Sequence, residues 1–171
     1  MSTKAEVEVS YDVGNDFFEL WLDTKMNYTC ALFDETDDLE EAQLAKLARL
    51  SRLAGIGPQT RSVLDIGCGW GANLEYQATV NKLADVNGIT LSTAQHAYCQ
   101  GRNLPNTTAT CVNYLNYEPA KPVDAVMSIC MIEHVVTPEE ARSGAHIEKY
   151  RNYFRMAREW TNPGARFGLQ T

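Results

Sequence analysis

The residues best suited to chemistry in this 171-residue chain lie in Val63-Leu-Asp-Ile-Gly-Cys-Gly-Trp-Gly71. Gly67 and Gly69 allow a tight turn and let the backbone approach a ligand where a Cβ would intrude. The helix that follows such a loop offers unpaired N–H groups to a negative group. The spacing is G-x-G-x-G, whereas a dinucleotide fingerprint reads G-x-G-x-x-G. Asp65 stands two residues before the first glycine, where its carboxylate would repel a pyrophosphate and attract an ammonium. The loop therefore suits a ligand of mixed charge. An ordinary strand-to-helix turn that needs glycines is the plain alternative.

That loop has to be held by strands and helices in alternation. Apolar runs predict strands over Ser62–Ile66, Asp85–Thr90, Ala109–Val112, Asp124–Ile129 and Arg166–Gln170. Helical spacing predicts helices over Ala72–Lys82, from Ser92 to about Gly101, and over roughly Ile147–Trp160. Strand, crossover helix, strand, repeated, implies a parallel α/β sheet that binds ligands at the carboxyl ends of its strands. Ahead of it, Tyr11–Asp23 reads as a short amphipathic helix capped near Asn15 or Asp16. A longer helix from Thr36 carries Leu44, Leu47, Leu50 and Leu53, with acids first and bases later as the helix dipole favours. Gly55 and Gly57-Pro58 end it. The expected organisation is a helical cap over residues 1–58 and a Rossmann-like core over residues 59–171.

Composition removes several function classes. A net charge of −7 argues against a phosphate-backbone binder. No apolar run approaches the roughly 20 residues that span a bilayer, so stable membrane insertion is not expected. The N-terminus lacks the apolar stretch of a secretion signal. Five cysteines with no C-x-x-C pair suit neither zinc nor a disulfide framework, so no metal is expected and a reduced cytoplasm is the better reading.

The D-x-G-x-G-x-G pattern in the first turn of such a sheet resembles motif I of the class I S-adenosylmethionine (SAM) methyltransferases. SAM carries a carboxylate, an ammonium and a sulfonium, which matches the mixed-charge loop. Four further motifs extend the likeness: Tyr11-Asp-x-x-x-Asp-Phe-Phe18, Tyr28-Thr-Cys30, Leu39-Glu-Glu-Ala-Gln43 and Gly88-Ile-Thr-Leu-Ser92 with Gln95. Together they resemble the cyclopropane-fatty-acid and mycolic-acid synthase family from about Tyr11 to Thr171. The resemblance implies that Tyr11, Tyr28 and Thr29 close over the amino-acid end of SAM, with Gly67 and Gly69 beneath. It implies that Thr90, Leu91 and Gln95 meet the ribose and its surroundings, and that Tyr114 and Leu115 lie by the adenine. Ser92 and Gln95 also satisfy a capping-box pattern, so Gln95 serves as cap, cofactor contact or both. Cys30 and Glu133 match positions that help hold bicarbonate, the base that takes a proton after methyl transfer to an alkene. Phe17, Phe18, Trp21 and Phe33 are candidates to line a cationic reaction centre, or are core residues.

Two departures qualify the likeness. Where the family usually has a histidine after the fifth strand, this chain has Gln170, which can donate a hydrogen bond but cannot shuttle a proton. Strands 1–5 of the class I fold are present and strands 6–7 are missing, which implies a truncated chain or one half of a split enzyme. A homo-oligomer or a second chain completing the sheet is the expected partner, beside a small-molecule acceptor. The segment 135–146 leaves the fourth strand where an acceptor would lie, as a solvated loop or as a selector of substrate. The leading expectation is methylation or cyclopropanation of an alkene in a small lipid, isoprenoid or specialised metabolite. N-methylation of a small amine, with Glu133-His134 as the orienting pair, and a non-catalytic subunit remain as alternatives.

Overall fold

A computed structural model describes Val9 and residues 14–171. Within it α1 (Asn15–Glu19) and α2 (Leu39–Leu53) precede an alternating run. That run is β1 (Ser62–Ile66), α3 (Ala72–Thr79), β2 (Asp85–Thr90), α4 (Thr93–Gly101), β3 (Thr107–Cys111), β4 (Val123–Ile129), α5 (Pro138–Arg142), α6 (His146–Glu159) and β5 (Thr161–Gln170). The five strands form one sheet in the order β3-β2-β1-β4-β5, and every neighbouring pair is parallel. This is the Rossmann-like α/β arrangement expected from the sequence. The order reverses at β1, so the crevice at the carboxyl ends of β1 and β4 is the natural ligand position.

Alternation along the central strands builds two apolar layers. Val63 and Met127 face one side, packed with Leu50 and Ala54 of α2, Leu74 and Ala78 of α3, and Cys99 of α4. Leu64, Ile66 and Val126 face the other, against Tyr153, Ala157 and Trp160 at the α6 end. All five β1 residues are buried, as a central parallel strand requires. The Tyr153 hydroxyl donates to Ser128 Oγ at 2.8 Å, which anchors α6 to β4.

The strand starts are pinned by Asp124. Its Oδ2 accepts from the N–H groups of Arg61 (2.8 Å) and Ser62 (3.1 Å), and its Oδ1 accepts from Asn162 Nδ2 (2.8 Å). These donors, the Arg61 amide foremost, lower its carboxyl pKa below the ordinary value. One side chain thus sets the stagger of β1, β4 and β5.

β1 and β2 lie where the sequence placed them, and the other elements shift. β3 begins two residues early, at Thr107, because its pairing with β2 runs from Val86↔Thr107. α3 stops at Thr79; Lys82 has φ 55, a left-handed turn that no helix continues through. Asn162-Pro-Gly164, ahead of the strand predicted from Arg166, lies inside β5, where a register shift against Val123/Ala125 absorbs the proline. The segment after Glu133 holds a short helix, α5, opened by a full capping box between Thr137 and Glu140. Of the helix read over Tyr11–Asp23, only Asn15–Glu19 is helical among the described residues. No helix among them is long and apolar enough to cross a membrane.

Leu64 has no exposed surface and sits in the α6-side layer. Leu64→Ala is expected to lower the unfolding free energy by about 2–5 kcal/mol, read from the midpoint of urea denaturation at unchanged slope.

Candidate functional site

A cavity opens at the carboxyl ends of β1, β2 and β4, where the strand order reverses. Its floor is Asp65 through Trp70, one wall is Ile89–Leu91 with Gln95, and another is Val112 with Tyr114. Ile129–Met131 and His134 face these from the end of β4, and Met26–Thr29 forms the roof.

Asp65 is the unusual residue of this floor. It is 2 % exposed, and its Oδ2 accepts from Asn73 Nδ2 at 3.0 Å. Its Oδ1 is buried and has no hydrogen-bond partner. Burial raises its pKa from the ordinary 3.8 to about 6, while the Asn73 bond and the nearby Lys46 charge pull the other way. A raised carboxyl pKa contributes stability that is fully present below 3.8 and is lost as pH rises through about 6. The folded chain at neutral pH therefore carries a desolvated, half-satisfied carboxylate on a residue that lines the pocket. A cationic donor in that pocket would satisfy it.

Asn73 is held in turn. Gln77 Nε2 donates to Asn73 Oδ1 (2.9 Å) and to Ser51 Oγ of α2 (2.9 Å), and Asn81 Nδ2 donates to Gln77 Oε1 (2.6 Å). The row Asn73, Gln77, Asn81 follows an i, i+4 stripe on the inner side of α3. Sequence reading passed over it, although polar residues on the core-facing side of a helix were a visible signal.

The glycines have distinct reasons. Gly67 has φ 85, and a Cβ there would lie 2.6 Å from Met131 Cγ. The side chain it must admit is thus Met131, not only a ligand. Gly69 has φ 54, and a Cβ there would meet nothing within 4 Å, because it faces the open cavity. The N–H groups of Gly67 and Cys68 both donate to Ile89 O at 2.9 Å, tying the loop to β2. Above the loop Trp70 is buried against Phe18, with ring centroids 4.7 Å apart, and its Nε1 donates to Asn15 Oδ1 at 2.8 Å.

Of the residues expected to touch a cofactor, Tyr28, Thr29, Asp65, Gly67, Gly69, Thr90, Leu91, Gln95 and Tyr114 line this one cavity. Leu115 does not; it is 44 % exposed, and its N–H is taken by Asn113 Oδ1. Tyr11 lies outside the described residues. Ser92 caps α4 by accepting from the Gln95 N–H (3.1 Å), whereas the Gln95 side chain turns to accept from Thr90 Oγ1 (2.8 Å). Ser92 is therefore the cap, and the Gln95 side chain is pocket wall and not the second half of a capping box.

The expected catalytic residues form a second group beside the cavity. Gln170 Nε2 donates to Cys30 O at 3.2 Å, Thr171 Oγ1 donates to Glu133 Oε1 at 2.9 Å, and the Cys130 N–H donates to Gln170 O at 2.9 Å. Cys130, which sequence reading missed, has φ 50 and so turns β4 sharply into the 3₁₀ turn Ile132–His134. Its thiol pKa is raised, by burial first and then by the Glu133 carboxylate and the neighbouring Cys30. His134 reaches the cavity, and Glu133 is exposed. Phe18 is core, packed with Met26 and Trp70, and Phe17, Trp21 and Phe33 are 45–53 % exposed and outside the cavity lining.

Comparison with known proteins is consistent with this geometry. The family model described as mycolic acid cyclopropane synthetase matches residues 1–171. Cyclopropane mycolic acid synthase 2 of Mycobacterium tuberculosis is 33 % identical over 169 residues, covering 96 % of this chain and 54 % of that protein. The chain thus spans about half the length of the curated relatives it matches. The solved mycolic acid cyclopropane synthase complexed with SAH and CTAB aligns with a TM-score of 0.80 at 30 % identity, over 95 % of this chain and 54 % of that one. Coclaurine N-methyltransferase bound to N-methylheliamine and SAH aligns at 0.78 and 25 %, over 92 % and 44 %.

In ¹³C NMR the Asp65 carboxyl is expected to titrate with a midpoint near 6. Asn73→Ala, by removing the bond to the charged form, should move that midpoint up; a midpoint near 4 in either protein would contradict the buried, half-partnered carboxylate.

Proposed function

As the chain belongs to the mycolic acid cyclopropane synthetase family, we propose that it is the cofactor-holding part of a SAM-dependent methyltransferase. The observation that carries this reading is the buried Asp65 carboxylate, with Oδ1 unpartnered at the floor of a cavity on the strand-order switch. An ammonium group there would supply the missing partner, and the fit extends to the rest of the cavity. Tyr28 and Thr29 roof the amino-acid end, Gly69 leaves its backbone open, and Gln95, Leu91 and Tyr114 face the nucleoside. The relatives solved with SAH support the same ligand class. On this reading residues 1–58 are a cap over the cofactor and residues 59–171 its Rossmann-like core.

When bound, SAM supplies a methyl group made electrophilic by its sulfonium. The chain's part is to align the acceptor and exclude water. Met131 and Ile129 give the end of β4 an apolar surface toward the cavity. An alkene carbon that gains a methyl leaves a cationic neighbour, which sheds a proton to form the product. Glu133 places or stabilises the base that takes that proton, with Cys30 alongside. Gln170 holds the Cys30 backbone, so it braces this wall and does not relay protons. A bicarbonate base, if used, would sit among Cys30, Glu133 and the Gln170 amide. The acceptor in this reading is an alkene of a small lipid, isoprenoid or specialised metabolite.

A second reading, N-methylation of a small amine, is favoured by one feature. Glu133 and His134 share a single 3₁₀ turn, and His134 lines the cavity. The pair would orient an amine and accept its proton.

Calorimetric titration of the full protein with SAM at pH 6 should show saturable binding with proton release, as the ammonium draws Asp65 to its charged form. Asp65→Asn should abolish the release and weaken binding roughly tenfold or more. Absence of saturable heat would mark a purely structural subunit. Incubation with methyl-labelled SAM and cell extract then identifies the acceptor: a label on carbon supports the first reading, a label on nitrogen the second. Omitting bicarbonate should slow the first reaction only, and the size of the active species tests whether a further copy or chain contributes beside β5.

A further inference from the structure

Lys46 is 5 % exposed, and no carboxylate lies within ion-pair distance of it among the described residues. Its Nζ donates to two neutral oxygens, Thr29 Oγ1 at 2.7 Å and Asn27 Oδ1 at 3.2 Å. Both of those residues roof the cavity whose floor is Asp65. One turn earlier on α2, Gln43 Nε2 donates to Thr29 O (2.9 Å) and Asn27 O (3.4 Å). Asp23, itself 4 % exposed, accepts from Asn27 N (2.6 Å) and Asn27 Nδ2 (2.7 Å), so Asn27 is gripped from both sides.

A buried cation bound only by neutral groups is costly to the fold. The cavity thus lies between two desolvated charges of opposite sign, Lys46 behind its roof and Asp65 in its floor. Neither is neutralised by a salt bridge among the described residues. A ligand end that carries one charge of each sign is what such a field selects.

We propose that Lys46 is a positioning residue for the carboxylate of the cofactor's zwitterionic amino-acid end, acting through Thr29 and Asn27. This rests on the SAM reading and adds to it the source of the positive field. Asp65 orients the ammonium, and Lys46 fixes where the carboxylate points. Together they set the direction in which the sulfonium methyl faces the wall of Cys30 and Glu133.

The charged groups facing Lys46 give this a pH signature. Burial lowers its pKa from 10.5 to about 8, and Asp23, Cys130, Asp65 and Cys30 act in the opposite direction. Lys46 therefore loses its charge as pH rises through about 8, and a bound carboxylate should retain it.

The test uses the full protein and two stable ligands, S-adenosylhomocysteine and 5′-methylthioadenosine, which lacks the amino-acid end. Calorimetry from pH 6.5 to 9 should show that S-adenosylhomocysteine binding takes up a proton near pH 8 and weakens above it, whereas 5′-methylthioadenosine does neither. Lys46→Met should weaken S-adenosylhomocysteine roughly tenfold or more, reduce the proton uptake to the share of the ligand's own amino group, and leave 5′-methylthioadenosine binding unchanged. Lys46→Arg should recover most of the affinity without the pH 8 limb. The proposal is overturned if Lys46→Met weakens both ligands equally, or if the wild-type protein binds S-adenosylhomocysteine with no proton uptake near pH 8. Failure of the wild-type protein to bind either ligand would instead remove the SAM reading on which the proposal stands.

Discussion

Much of this structure is arranged around a carboxylate that has been taken out of water and only half repaid with hydrogen bonds. Asp65 lies on the central strand, where the sheet gives it no solvent, and its single bond comes from Asn73. To leave a charge so placed costs several kcal/mol in a protein interior. The surrounding structure has to hold it against relaxation toward a better-solvated position. The row Asn73–Gln77–Asn81 does this by running the polar contact along α3 to Ser51 on α2. Helix α2, outside the alternating run, is thereby coupled to the floor of the site.

The same helix couples to the roof. Gln43 and Lys46 hold residues 27–29 while Leu47 and Leu50, on neighbouring turns, are buried in the core. The roof is held a second time from the loop side, where Trp70 packs into Phe18 and bonds Asn15. Arg102 reaches from beyond the end of α4 to Trp70 O (3.0 Å) and pairs with Glu75, which also receives Lys25. Floor and roof are therefore joined by buried hydrogen bonds in which each charged group meets neutral partners, and among the described residues the ion pairs beside them are the part-buried Arg102–Glu75 and the more exposed Lys25–Glu75. This division follows from dielectric environment, since exposed pairs contribute little and buried ones must be fully satisfied to help.

Beside the cavity, the wall of Cys30, Cys130, Glu133 and Gln170 is built differently. Its contacts are backbone-directed: Gln170 bonds the Cys30 carbonyl and Cys130 bonds the Gln170 carbonyl. The carboxylate of Glu133 is left at the surface with a hydroxyl donor. The buried half of the site thus has fixed charges of opposite sign, and the open half has a carboxylate that water and an acceptor can reach.

The sequence by itself determined the alternating α/β fold and the limits of β1 and β2, and its resemblance to the family named nine residues that line the cavity. The fold and the loop are legible because their signals are local: apolar periodicity, a glycine pattern that few backbones need, and Asp65 at fixed spacing from it. Only the tertiary structure decided that Gly67 must admit Met131, that Asp124 staples three strand ends, and that Gln170 meets the Cys30 backbone. It likewise decided that Phe17, Trp21 and Phe33 lie outside the cavity, because an aromatic spacing does not say which neighbour the ring meets. Lys46 shows the reason most clearly. On a helix bearing acids and bases it reads as a solvated charge, and its meaning arises when folding brings Thr29 and Asn27 over it and removes the water. Periodicity fixes which face of an element is buried; what a buried polar group meets there depends on residues brought close by the fold alone.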